Sequence, residues 1–91
     1  MKFGLSVPQF EDFGDVRRLA SLASDAECAG WDGFFVWDHI LIDDLWHPIV
    51  DPWIALAAIA MRTDSIRIGP MVTPLARRRP WKVALEAISL D

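Results

Sequence analysis

Three segments with strand character begin near residues 2, 34 and 66, and a stretch with helical spacing follows each of them. A strand-then-helix unit recurring about every 32 residues has the length of a βαβ crossover, and no residue-level repeat accompanies it. Strict alternation of strand and helix implies an α/β fold, a parallel sheet joined by right-handed crossovers. All strands then run the same way. Three loops, after Gln9, after His39 and after Thr73, converge on their carboxyl ends, where such folds place their chemistry.

Lys2 to Gln9 puts Phe3, Leu5 and Val7 on one face and Gly4 and Ser6 on the other, and Pro8 ends the ladder by removing a donor. Val16, Leu19, Ala20, Ala23 and Ala26 follow the i, i+3, i+4, i+7 rule of an amphipathic helix, with Asp15 placed to cap it and Gly30 to stop it. The segment Gly30 to Ile40, G-W-D-G-F-F-V-W-D-H-I, reads as a turn at Asp32-Gly33 and a short strand through Phe34, Phe35, Val36 and Trp37. Its unbroken apolar run predicts burial on both faces. Ile40 to Val50, with Asp43, Asp44, Trp46 and His47, is long and aromatic enough to be a lid.

Asp51-Pro52 opens a second helix with a cap and a proline at the first helical position. Every residue from Trp53 to Met61 is apolar, and the alanine content predicts a helix largely covered by neighbours. After the polar break Arg62-Thr63-Asp64, a third strand carries Ile66 and Ile68 towards Thr73, with Pro70 bending its ladder. Arg77-Arg78-Arg79 leads to Pro80 and a last helical stripe of Trp81, Ala84, Leu85 and Ile88.

With 91 residues and 53% apolar content the chain suffices for one small domain with a core. A net charge of −4 argues against nucleic-acid or anionic-membrane partners, which call for a positive field. Cys28 is the only cysteine, so no internal disulfide forms and a reducing cytoplasm is the expected setting. The start lacks a hydrophobic signal core, and no apolar run approaches the roughly 18 residues of a membrane helix.

Asp38 and His39 emerge where the central strand stops. Imidazole beside a carboxylate suits proton transfer; the alternative is that Asp38 caps the following turn and His39 packs beneath the lid. Asp38, His39, Asp43, Asp44 and His47 offer metal donors, but no H-x-H or HExxH spacing fixes them, and no metal site is expected. The three arginines could hold a phosphate or carboxylate before a helix N-terminus, or pair with Asp43 or Asp44. No Walker loop or G-x-G-x-x-G is present. Trp46 is the candidate for stacking on a ring. A metal-assisted hydrolase using His39 and the loop acids, and a non-catalytic interaction fragment, are the competing readings.

The whole chain resembles the N-terminal part of the luciferase-like monooxygenase family, flavin- and deazaflavin-dependent (β/α)8 oxidoreductases. The resemblance runs through F-G-L-S-V-P-Q, A-G-W-D-G-F-F-V-W-D-H-I, D-P-W-I-A-L-A-A-I-A, R-I-G-P-M-V-T-P-L-A-R-R-R-P-W-K-V-A and E-A-I-S-L-D. It implies a TIM-type barrel with FMN or coenzyme F420 across the carboxyl ends of the strands, and a small-molecule substrate. By the same resemblance Asp38 contacts the cofactor and His39 is the catalytic acid or base. A bulge or non-prolyl cis peptide near Met71-Val72 would press on the ring, making both residues cofactor-binding. Three units are too few to close a barrel of eight. Residues 1–91 are therefore expected to be the N-terminal portion of one barrel domain, inactive alone, with the full-length protein a homo-oligomer.

Overall fold

The computed structural model describes residues 1–39 and 49–91. Three strands, β1 (Gly4–Val7), β2 (Gly33–Val36) and β3 (Arg67–Pro70), alternate with three helices, α1 (Val16–Cys28), α2 (Pro52–Ala60) and α3 (Pro80–Leu90). Single 3₁₀ turns at Glu11–Phe13 and Leu75–Arg77 interrupt the first and third loops. The strands pair in parallel in the order β1-β2-β3. That is the predicted alternation.

The helix starts follow from their caps. Asp15 accepts the Arg17 N–H at 2.9 Å, and Asp51 accepts those of Trp53 and Ile54 at 2.9 and 3.1 Å, each such cap contributing about 1 kcal/mol. Gly30, just beyond α1, has φ +93°, a left-handed value that a side chain resists. Pro52 and Pro80 open α2 and α3, where a missing donor costs nothing.

Register decides the two faces of the sheet. Leu5 lies beside Phe34 and Ile68, and Val7 beside Val36 and Pro70, so the larger β1 side chains share a face with Phe34 and Val36. Against it pack Leu19, Ala20, Ala23 and Ala26 of α1 and Ala55, Leu56 and Ile59 of α2, with Leu90 of α3 at the margin. Alanines at most of these positions let the helices approach the strands closely. Consecutive parallel neighbours joined by crossovers of one hand put α1 and α2 on the same side of the sheet.

The other face carries no helix, which corrects the expectation that the central strand is buried on both sides. Phe34 and Val36 are fully buried, but Phe35 is only half-buried and Trp37 is 37% exposed. An unbroken apolar run cannot reveal this, because it has no period. Phe35 spreads its ring over Gly4, Gly33 and Gly69, where added methyls would come within 3.0, 2.6 and 3.8 Å of it. One glycine from each strand thus leaves room for the large ring of Phe35.

Two further corrections concern the helices. α2 is covered along Pro52, Ala55, Leu56 and Ile59, but Ile54 and Met61 are exposed. In α3 the stripe of Trp81, Leu85 and Ile88 faces outward, and Val83, Glu86 and Leu90 are the half-buried residues. Among the described residues no helix is long and apolar enough to cross a membrane.

At the amino end of the sheet, Glu27 near the close of α1 binds the turn before β3. Its carboxylate accepts the N–H groups of Ser65 at 2.7 Å, Ile66 at 2.8 Å and Asp64 at 3.0 Å. The Ser65 and Ile66 amides, in that order, hold the Glu27 carboxyl below the usual carboxylate range.

Candidate functional site at the carboxyl ends of the strands

The ladder runs one step past β2 on both sides. Trp37 donates to the Val7 carbonyl at 3.1 Å, and Met71 donates to the Val36 carbonyl at 2.8 Å. The chain then turns Asp38 inward and leaves His39 outside.

The Asp38 side chain is 1% exposed and is gripped by Arg78 from the third loop. Nε of Arg78 donates to Oδ2 at 2.9 Å, and Nη2 lies 2.8 Å from Oδ1 and 2.7 Å from Oδ2. Arg77 donates to the Asp38 carbonyl at 2.6 Å, and its Nη2 lies 3.6 Å from Oδ1. A guanidinium fork on a buried carboxylate is the strong form of this interaction. Hydrogen bonding to Asp38 raises the Arg78 pKa above its already high ordinary value, so the guanidinium stays charged.

His39 stands at the edge of an aromatic group. Its ring centroid is 5.6 Å from Trp37 and 6.1 Å from Phe10, and Phe10 meets Trp37 edge-on at 5.8 Å. Trp37 is fixed from below by its Nε1, which donates to Ser6 Oγ at 3.0 Å. The His39 carbonyl accepts from Gln9 Nε2 at 2.9 Å, and Gln9 is fully buried. Its Oε1 has no donor among the described residues.

The peptide bond between Met71 and Val72 is cis, at the position named from the resemblance, and both residues are exposed. Main-chain pairing of Met71 to β2 brings this segment alongside the Asp38-His39 exit.

The predicted convergence of three loops is therefore realised in contacts: Gln9 and Phe10 from the first, Asp38 and His39 from the second, Arg77 and Arg78 from the third. The arginines divide their work. Arg77 holds a carbonyl, Arg78 holds the carboxylate, and Arg79 sits 5.9 Å from the Trp81 ring centroid. The carboxylate bound by a guanidinium fork is the protein's own. Asp43, Asp44, Trp46 and His47, with the lid and metal-donor readings that rest on them, lie outside the described residues. A cofactor contact to the Asp38 carboxylate would have to share it with Arg78.

Sequence reasoning passed over Gln9, Phe10 and Ser6. The available signal was a buried-type position held by an amide directly after the strand-ending Pro8. For a planar tricyclic ring the donor set fits: exposed Trp37, His39, Met71 and Val72 offer apolar surface and one imidazole at a single end of the sheet.

A family model described as luciferase-like monooxygenase matches residues 1–91. Among curated proteins, the chain is similar to 4-hydroxyprotoasukamycin monooxygenase of Streptomyces nodosus subsp. asukaensis, with 30% identity over 95 aligned positions. The match takes in 100% of this chain and 25% of that relative, so the chain spans about a quarter of the relative's length.

Proposed function

Because the chain belongs to the luciferase-like monooxygenase family, we propose that it forms the first three strand-helix units of a (β/α)8 oxidoreductase that uses FMN or coenzyme F420 on a small organic substrate. The observation that carries this reading is the placement of His39. Its exposed imidazole stands on a Trp37-Phe10 platform at the carboxyl end of a parallel sheet, where Met71 pairs with the end of β2.

In this reading Trp37, Met71 and Val72 pack against the ring, and His39 moves a proton at its imidazole nitrogen. When bound, the flavin or deazaflavin supplies the hydride or electron-pair chemistry. The Asp38-Arg78 pair holds the main chain that carries the imidazole, and Phe10 and Trp37 limit its rotation. Oxygen use, as the relative's name states for that protein, belongs to the FMN form of the proposal. Hydride transfer without oxygen belongs to the deazaflavin form.

Titration of the full-length protein with each cofactor, read by fluorescence of the ring system, is expected to give tight binding of one of the two. Absence of binding by both overturns the proposal.

A further inference from the structure

Gln9 is the one fully buried polar side chain of the first loop, and it touches the chain at two separated points. Its Nε2 donates to the carbonyl of His39 at 2.9 Å. Its own carbonyl accepts the N–H of Val50 at 3.0 Å. Phe10, the next residue, forms an isolated antiparallel bridge with Ile49 and lays its ring beside that of His39. Both ends of the connection between β2 and α2, at His39 and at Ile49-Val50, are thus fastened to the same two residues of the first loop.

We infer that Gln9 is a positioning residue for His39, fixing through its carboxamide the peptide that carries the imidazole and so keeping the ring against Phe10 and Trp37. The inference rests on the reading of His39 as the proton-transfer group only for its kinetic consequence; the positional claim stands on the hydrogen bonds. Three side chains set the backbone here, Arg77 on the Asp38 carbonyl, Arg78 on the Asp38 carboxylate and Gln9 on the His39 carbonyl. Gln9 is the one bonded to the histidine itself. A buried amide in this place needs its donor. A side chain of equal size without one would leave the His39 carbonyl without this partner and the peptide free to rotate.

The test uses the full-length protein in two variants. Gln9→Met keeps the volume and removes the donor. Gln9→Glu replaces the donor by an acceptor when ionised and restores an O–H donor when protonated. The imidazole of His39, labelled with ¹³C and assigned by loss of its signal in His39→Gln, reports the ring currents of Phe10 and Trp37. Hydrogen exchange at the Val50 amide, whose bond to the Gln9 carbonyl is main-chain, reports whether the fold persists.

The expected result is that Gln9→Met moves the His39 signals towards solvent-exposed values while Val50 stays protected. Turnover should fall about 30-fold, with cofactor affinity changed about 3-fold or less, since misplacing a catalytic group by about 1 Å costs up to about 100-fold. In Gln9→Glu the His39 signals and turnover should recover as pH falls and the introduced carboxyl takes up its proton. If Gln9→Met fails to fold, Gln9→Glu compared with the unsubstituted protein at each pH, which cancels any pH change of the imidazole itself, gives the answer. Unmoved His39 signals in both variants, or a Gln9→Glu protein indifferent to pH, overturn the inference. A full-length protein that binds neither cofactor but shows the shifts would refute the oxidoreductase reading and leave the positioning role standing.

Discussion

Glu27 and Asp38 do the same mechanical job at opposite ends of one sheet, each tying its own segment to chain 37 to 40 residues further on. They do it with different partners. Glu27 is held chiefly by three backbone amides, donors that any residue but proline would supply, with the Ser65 hydroxyl a longer fourth at 3.4 Å. Asp38 is held by a guanidinium fork, donors that only arginine supplies in this form. The amino end is therefore a fastening that tolerates substitution in its partner. The carboxyl end depends on one named side chain, and the exposed imidazole stands on that dependence.

The largest expected effect breaks the comparison along its chemical side. His39→Ala in the full-length protein should lower turnover by about 10² to 10⁴-fold, the usual contribution of a general acid or base, with stability unchanged within about 0.5 kcal/mol because the residue is exposed. Steady-state kinetics beside a urea titration would show it, and near-normal turnover would return His39 to a packing role. Arg78→Ala comes next. It strands a carboxylate whose side chain is 1% exposed, and should cost about 3 kcal/mol or more, read as a lower denaturation midpoint; Arg78→Lys should recover only part, lacking the fork.

Glu27 sharpens the comparison through pH. Its folded pKa lies below its ordinary value of about 4.5, so between the two the unfolded chain binds more protons than the folded one. The stabilisation is whole above the ordinary value and is lost as pH falls through the folded one. Glu27→Gln should flatten that part of a plot of urea midpoint against pH from 7 to 3, lowering the midpoint near neutrality, where the charged carboxylate stabilises the fold, and converging on the parent protein at low pH. The smallest effect is Gly30→Ala, where φ +93° makes a methyl group cost about 1 kcal/mol, measurable as a small drop in melting temperature with activity intact.

Local chemistry was legible in the sequence, and its alternatives were settled only by packing. Asp15, Gly30, Asp51 and Pro52 announce helix ends because each acts within four residues of itself, and the structure uses every one as read. The Asp38-Arg78 pair was not legible as a pair. Three consecutive arginines and several acids allow many combinations, and 40 residues separate the two that meet. Glu27 left no signal, since backbone amides carry no residue identity. Burial of the apolar runs was half legible. Phe34 and Val36 are inside as expected, whereas Trp37, Ile54 and Met61 are exposed, because a run without polar residues gives no phase to say which side turns away.

The double attachment at Gln9 has a consequence for how such a chain varies. With His39 and Val50 both bonded to one residue, the two ends of the connection between β2 and α2 are anchored independently of the residues that join them. Doubling the length of a flexible loop costs only about 0.6 kcal/mol in closure entropy. Changes in length between those anchors are therefore expected to leave the anchored ends, Gln9 with His39 and Gln9 with Val50, in place. That connection is where descendants of this sequence can diverge in length most cheaply.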